Sequence, residues 1–84
     1  MIFKARIFSS KLAFADGNQA TAQQILENLV KEFSRDFEQA EIYFWLHQFN
    51  PNNKYKNESL ERYKKLYEDT PLYLFEERIR DLTI

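Results

Sequence analysis

The chain has 84 residues, a formal net charge of −1 and no cysteine. These values predict a single domain, residues 1–84, and exclude a disulfide framework and a cysteine-based zinc site. Because acidic and basic residues balance, the chain as a whole has no strong attraction for nucleic acid or acidic membranes. No apolar run approaches the roughly 20 residues of a transmembrane helix, and no signal peptide is evident. We therefore expect a cytoplasmic protein without a membrane partner.

Residues 1–15 fit two structures. As a helix, this segment would align Ala5, Phe8, Leu12 and Ala15, and it would end at Gly17, which tolerates the positive φ of a helix stop. As a β-hairpin, its apolar residues would alternate around a turn at residues 9–10, although Ser-Ser is a poor tight turn. Local propensity alone does not decide between the two.

Residues 21–33 show the clearest helical periodicity of the N-terminal half. Their apolar side chains recur at i, i+3, i+4, i+7 and i+11, and Thr21 is positioned to act as the N-cap. After this segment, Asp36 and Gln39 have the spacing of a weak capping box. Residues 40–49 would form either a strand or a helix that is apolar nearly all round. Such a helix would pack on two sides, with Trp45 largely buried.

The remaining segments predict a loop and two helices. Residues 50–57 have the composition of a loop opened by Asn-Pro. A helix capped by Asn57 or Ser59 should follow and end before Pro71. The last helix should begin near Pro71 and bury an apolar stripe made of Leu72, Phe75, Ile79 and Leu82.

An internal offset of 37 residues favours the helical interpretation. It places Ala22 on Ser59, Leu26 on Tyr63 and Leu29 on Leu66. A similar period, about 34 residues, marks tetratricopeptide repeats. The segment GNQATAQQILENLVKEFS resembles the second half of such a repeat, AEIYFWLHQFN resembles a first helix, and SLERYKKLYEDTP resembles another second helix that ends on the expected proline.

This resemblance implies two divergent tetratricopeptide-like repeats and a capping helix, and so an all-α stack of antiparallel helical hairpins. Arg6, His47 and Lys54 depart from the family pattern, which calls for a large apolar residue at the first position and small ones at the others. The alternative fold is α+β, in the order β-β-α-β followed by two helices.

No residue pattern predicts catalysis or a cofactor. His47 is the only histidine, and no nucleophile, metal-ligand spacing or phosphate-binding glycine loop accompanies it. The carboxylates of Glu76 and Glu77 are adjacent on a helix and would point in different directions. We expect no enzyme activity, no metal and no cofactor.

Two functions remain open, and the first is a small non-catalytic protein-interaction module or adaptor. It would bind another protein or itself, and it could be an inhibitor or accessory subunit that docks on a larger protein. The tetratricopeptide resemblance implies a partner groove lined by the first helix of each pair, with candidate residues Lys4, Lys11, Glu41, Phe44 and Gln48.

The alternative function is nucleic-acid binding by the stretch at residues 54–65. Basic residues that alternate with aromatic ones can contact the phosphate backbone and stack on bases. The candidates are Lys54, Lys56, Arg62, Lys64 and Lys65, and the interleaved Glu58 and Glu61 weaken this hypothesis.

Overall fold

The computed structural model describes residues 2–84, and these form five α-helices and no strand. The helices are α1 (Ile2–Ala15), α2 (Gln19–Glu32), α3 (Asp36–Phe49), α4 (Asn53–Asp69) and α5 (Tyr73–Thr83). The all-α prediction is confirmed. The α+β alternative is wrong because residues 2–15 and 40–46, which it assigned to strands, are helical; Met1 lies outside the described residues.

Gly17 ends α1, as the sequence predicts. Its φ is +82°, and no heavy atom of the surroundings lies within 4 Å of the place a Cβ would occupy. A side chain at this position would therefore not clash with its surroundings. Glycine is favoured because its backbone adopts a positive φ that other residues rarely adopt. The N–H of Asn18 donates to the carbonyl of Ala13 at 2.8 Å, which closes the turn.

Helix α1 has two apolar faces, and only one of them is packed. Ile7 and Ser10 are buried against the following helices, and Phe3 packs beside them. On the aligned stripe of the sequence analysis, Phe8 is 60% exposed and Leu12 is 50% exposed. The packed face of α1 therefore contains Ile7 and Ser10, and the stripe with Phe8 and Leu12 faces solvent.

The predicted starts of α2 and α3 need correction. Helix α2 begins at Gln19, after Asn18, so Thr21 lies inside the helix and is not its N-cap. At the start of α3, Glu38 accepts from the backbone N–H of Arg35 at 3.3 Å. The amide of Gln39 instead donates to carbonyls at the end of α2, which joins the two helices.

Helix α3 is packed on two sides, as its all-round apolar sequence predicts. One side joins a core cluster with α1 and α2 through Ile42, Leu46 and Phe49. The other side joins a second cluster with α4 and α5 through Ala40 and Phe44. Trp45 packs against both clusters and is mostly buried, as predicted, although part of its surface stays accessible.

Helix α4 begins earlier than the sequence predicts. Asn52 is its N-cap, and the side-chain oxygen accepts from the backbone N–H of Lys54 at 2.8 Å. Ser59 is therefore not a cap; it is fully buried and donates to the carbonyl of Ala40 at 2.8 Å. Helix α5 begins at Tyr73, so Leu72 precedes it and is 51% exposed.

The 37-residue offset is visible in the packing. Ala22 and Ser59 are both fully buried, and so are Leu26 and Tyr63. Each helix packs against its neighbours in sequence, from α1 through α5. This arrangement is compatible with successive helical hairpins in which α1, α3 and α5 are the first helices.

Candidate interaction surface

The three odd-numbered helices share one surface, which we call the odd-helix face. It consists of Lys4, Phe8 and Lys11 from α1, Phe37, Glu41 and Trp45 from α3, and Arg78 from α5. The offset of 37 residues relates its charged positions, because Lys4, Glu41 and Arg78 follow one another at that spacing. Equivalent positions of successive hairpins therefore form a row of alternating charge.

Glu41 lies at the centre of this face and is saturated with hydrogen-bond donors. Arg78 Nε donates to Glu41 Oε1 at 2.7 Å, and the same oxygen accepts from the Tyr63 hydroxyl. The other oxygen, Oε2, accepts from Trp45 Nε1 at 3.2 Å. The carboxylate thereby ties α3 to both α4 and α5.

Protonation follows from this arrangement. Burial raises the pKa of Tyr63 well above its ordinary value, and the adjacent negative charge and hydrogen bond of Glu41 raise it further. Burial opposes the charge of Arg78, but the hydrogen bond and charge of Glu41 outweigh it and raise the pKa of Arg78. Tyr63 therefore remains a neutral phenol and Arg78 a cation at neutral pH.

Two cations cover the aromatic part of the face. Lys11 Nζ lies 3.9 Å from the centre of the Trp45 ring. The guanidinium of Arg78 lies 4.2 Å from the centre of the Phe44 ring and 5.6 Å from that of Trp45. Because part of the Trp45 ring stays accessible, Lys11 and Arg78 border an aromatic surface that another molecule can contact.

Two adjoining cavities open between α1 and α3. One of about 220 Å³ has Lys4, Lys11 and Glu41 in its lining, and the second, of about 230 Å³, is lined by Arg35 and Glu38. Both are also lined by Phe3, Lys4 and Phe37. The result is a groove with an aromatic floor and a largely basic rim.

The structure brings three of the five predicted partner-binding residues together and separates the other two from them. Lys4, Lys11 and Glu41 line one cavity. Phe44 is 4% exposed and belongs to the second core cluster, so it presents almost no surface. Gln48 is exposed near the end of α3.

Sequence reasoning missed Arg78, Tyr63 and Phe37 as members or supports of this site. The signal for Arg78 was the 37-residue spacing from Glu41, which was applied only to the second helices. No comparable signal existed for Phe37, since its position beside Phe3 depends on how α1 packs on α3.

The predicted nucleic-acid residues do not form one unpaired basic surface. Arg62 is hydrogen-bonded to Glu58 Oε1 at 3.1 Å and lies over the ring of Tyr43. Tyr63 is fully buried, so it cannot stack on a base. Among the other candidates, Lys56 is half-buried, while Lys54, Lys64 and Lys65 are exposed along α4.

Within residues 2–84, no group of three or more His, Asp or Glu side chains is arranged to hold a metal ion. His47 Nδ1 accepts from the backbone N–H of Asn52 at 3.0 Å, a contact that fixes the α3–α4 turn. None of the five described helices is long and apolar enough to cross a bilayer.

Comparison with known proteins finds no matching family model, no similar curated protein and no similar solved structure. The structure shows an all-α fold of five packed helices that is compatible with helical hairpins, and its tetratricopeptide-like character stays a prediction from the sequence.

Proposed function

We propose that this protein is a small, non-catalytic interaction module or adaptor of the cytoplasm that binds a partner protein on the odd-helix face. The observation that carries the proposal is the groove between α1 and α3. Its floor contains Phe3 and Phe37, and its rim contains Lys4, Lys11 and Arg35. Accessible aromatic side chains next to basic ones are typical anchors of protein interfaces.

The interior of the site supports recognition better than catalysis. The Glu41 carboxylate accepts from three side chains, so its lone pairs are occupied and it is poorly placed to remove a proton from a substrate. The network instead fixes α3, α4 and α5 relative to one another. A rigid surface of this kind binds without a large cost of ordering its side chains.

A tetratricopeptide-like organisation is part of the proposal. The repeat at 37 residues, the first-helix position of α1, α3 and α5 and the stop at Gly17 support it. In such an array the first helices of successive pairs would form the partner surface. Docking on a larger protein as an inhibitor or accessory subunit is one form that this function can take.

Capture from the native host tests the proposal. Tagged wild-type protein and a K4E/K11E variant are used as bait at equal concentration, and the bound proteins are identified by mass spectrometry. We expect a specific partner with the wild type and at least a tenfold loss with K4E/K11E, because two cations on the groove rim are reversed.

A matched control separates the groove from general electrostatics. The K54E/K56E variant makes the same charge change at the start of α4, away from the odd-helix face, and it should retain the partner. Loss of the partner with K54E/K56E and retention with K4E/K11E would contradict the proposal, and so would capture of nucleic acid that depends on Lys54 and Lys56.

A further inference from the structure

Three exposed residues of α1 correspond, at the 37-residue offset, to residues of α3 that are buried in helix packing. At an offset of 37 residues, Leu12 corresponds to Phe49 of α3, which packs in the core cluster shared with α2. Ala5 and Ser9 likewise correspond to two other α3 residues in that cluster, Ile42 and Leu46. In α1 all three of these positions are exposed.

The charges beside this stripe have one sign. Helix α1 contains Lys4, Arg6 and Lys11 and no acidic residue in the range Ile2–Ala15. Arg6 pairs with Glu32 of α2, while Lys4 and Lys11 have no ion-pair partner among residues 2–84. We call Lys4, Ala5, Phe8, Lys11 and Leu12 the α1 edge. An occupant of the α1 edge needs apolar contacts and negative charge.

The other end of the stack offers that chemistry. At the same offset, Glu77 and Asp81 of α5 correspond to Ala40 and Phe44, which pack α3 against α4 and α5. Neither acid has an ion-pair partner among residues 2–84, whereas Arg78 pairs with Glu41 and Arg80 with Glu76. We call Leu74, Glu77 and Asp81 the α5 edge.

We propose that two copies of this chain associate head to tail, with the α1 edge of one copy packed against the α5 edge of the next. This self-association gives the α1 end of the odd-helix face a specific partner, a second copy of the chain. The inference rests on the proposed function of that face in binding protein. The basic pair Lys4 and Lys11 would face the acidic pair Glu77 and Asp81, while Leu12 would pack near Leu74. A symmetric α1–α1 contact is disfavoured because it would oppose like charges.

Such a contact joins two different surfaces, so it does not close on itself after two copies. Its occupancy should therefore rise steadily with protein concentration and fall with salt. The average mass of the purified protein should increase from about 10 µM to about 1 mM at low ionic strength, and it should approach the monomer value at about 0.5 M salt.

Charge reversal on each edge tests the proposal by sedimentation equilibrium. The K4E/K11E and E77K/D81K variants should each remain monomeric alone, and an equimolar mixture should associate because each reversed edge then meets an opposite charge. Recovery in the mixture also shows that both variants are folded. A neutral variant, E77Q/D81N, should weaken association about tenfold or more, and K64E/K65E on α4 should leave it unchanged.

Three results would overturn the proposal: a wild type that stays monomeric at about 1 mM in low salt, association that survives E77K/D81K, or variants that do not recover on mixing. Failure of the proposed function is a separate result. E77K/D81K should still capture a different host protein through the groove, so loss of that capture bears on the adaptor function and not on self-association.

Discussion

Helices α1 and α5 occupy equivalent positions at the two ends of the odd-helix layer, yet they meet solvent with different chemistry. The outward positions of α5 hold Glu77 and Asp81, whereas those of α1 hold exposed Phe8 and Leu12. Terminal units of a helical stack need a polar outer surface to remain soluble alone. Neither end is polar throughout, because Leu72 and Tyr73 are exposed at the α5 end as Phe8 and Leu12 are at the α1 end. Each end therefore has the properties of a contact surface, with acidic side chains at α5 and basic ones at α1.

The two end helices are also attached differently. Helix α5 is fixed by Phe75 and Leu82 in the core and by the Arg78 contact with Glu41. Helix α1 is attached mainly by apolar contacts of Ile7 and Phe3, together with the solvent-exposed pair Arg6–Glu32. A buried ion pair therefore helps to hold α5, whereas α1 depends mainly on apolar contacts. Substitutions at each end can test this difference.

The largest effect is expected at Arg78. Changing Arg78 to Met leaves Glu41 without its cationic partner in a site where the two side chains are 17% and 12% exposed. We expect a loss of about 3 kcal/mol in the free energy of unfolding, measured with urea. The control is Arg80→Met, whose pair with Glu76 is half-exposed and should be worth less than about 1 kcal/mol. Equal losses would contradict the account of how α5 is held.

The two faces of α1 should differ almost as much. Ile7 is 6% exposed and Leu12 is 50% exposed. Ile7→Ala should cost about 2–4 kcal/mol because it leaves a cavity, whereas Leu12→Ala should change the stability of the monomer by about 0.5 kcal/mol or less. Measurement in dilute protein separates this effect from association. A large loss for Leu12→Ala would show that its face is packed within the monomer.

An intermediate effect is expected at the turn that positions α1. Gly17 has a φ of +82°, which costs an L-residue roughly 1–2 kcal/mol. Gly17→Ala should therefore destabilise the protein by about that amount, although no atom blocks the new methyl group. Asp16→Ala, at the neighbouring exposed position, is the matched control and should be near neutral. A neutral Gly17→Ala would contradict the left-handed helix stop.

Alkaline pH should destabilise the protein in part through Tyr63. The folded protein keeps the Tyr63 phenol protonated, since burial and Glu41 raise its pKa above the ordinary value of 10.0. The unfolded chain loses that proton near pH 10, so Tyr63 contributes stability that is present below this pH and decreases as pH rises. The decrease is at most about 1.4 kcal/mol per pH unit. Tyr63→Phe should be less stable at neutral pH but show a shallower decline between pH 9 and 11, and parallel curves would contradict this assignment.

Much of the fold could be predicted from the sequence, because the decisive features were local or periodic. Gly17 marked the end of α1, and the 37-residue offset paired positions that are buried together, such as Leu26 and Tyr63. Helix starts were predicted less well. The cap of α4 is Asn52 and not a residue further along. The sequence did not identify it because several adjacent asparagines and a serine could equally have served as the cap.

The site could be predicted only in part. Lys4, Lys11 and Glu41 were assigned to the first-helix groove, and the structure places them around one cavity. The same resemblance also selected Phe44, whose side chain points into the core. In a helix that is apolar on both sides, hydrophobicity does not indicate which aromatic residue faces the groove. That choice depends on the packing of α4 and α5.

The central claim is that the α1 end of the odd-helix face binds protein, and site-specific photo-crosslinking in the native host tests it most directly. A photoreactive benzoylphenylalanine replaces Phe8 in one variant and the exposed Lys64 of α4 in another. We predict a discrete crosslinked species from position 8, reduced at least tenfold by the added K4E/K11E change, and little or none from position 64. Crosslinks from position 64 alone, or crosslinks at position 8 that are indifferent to K4E/K11E, would contradict the claim.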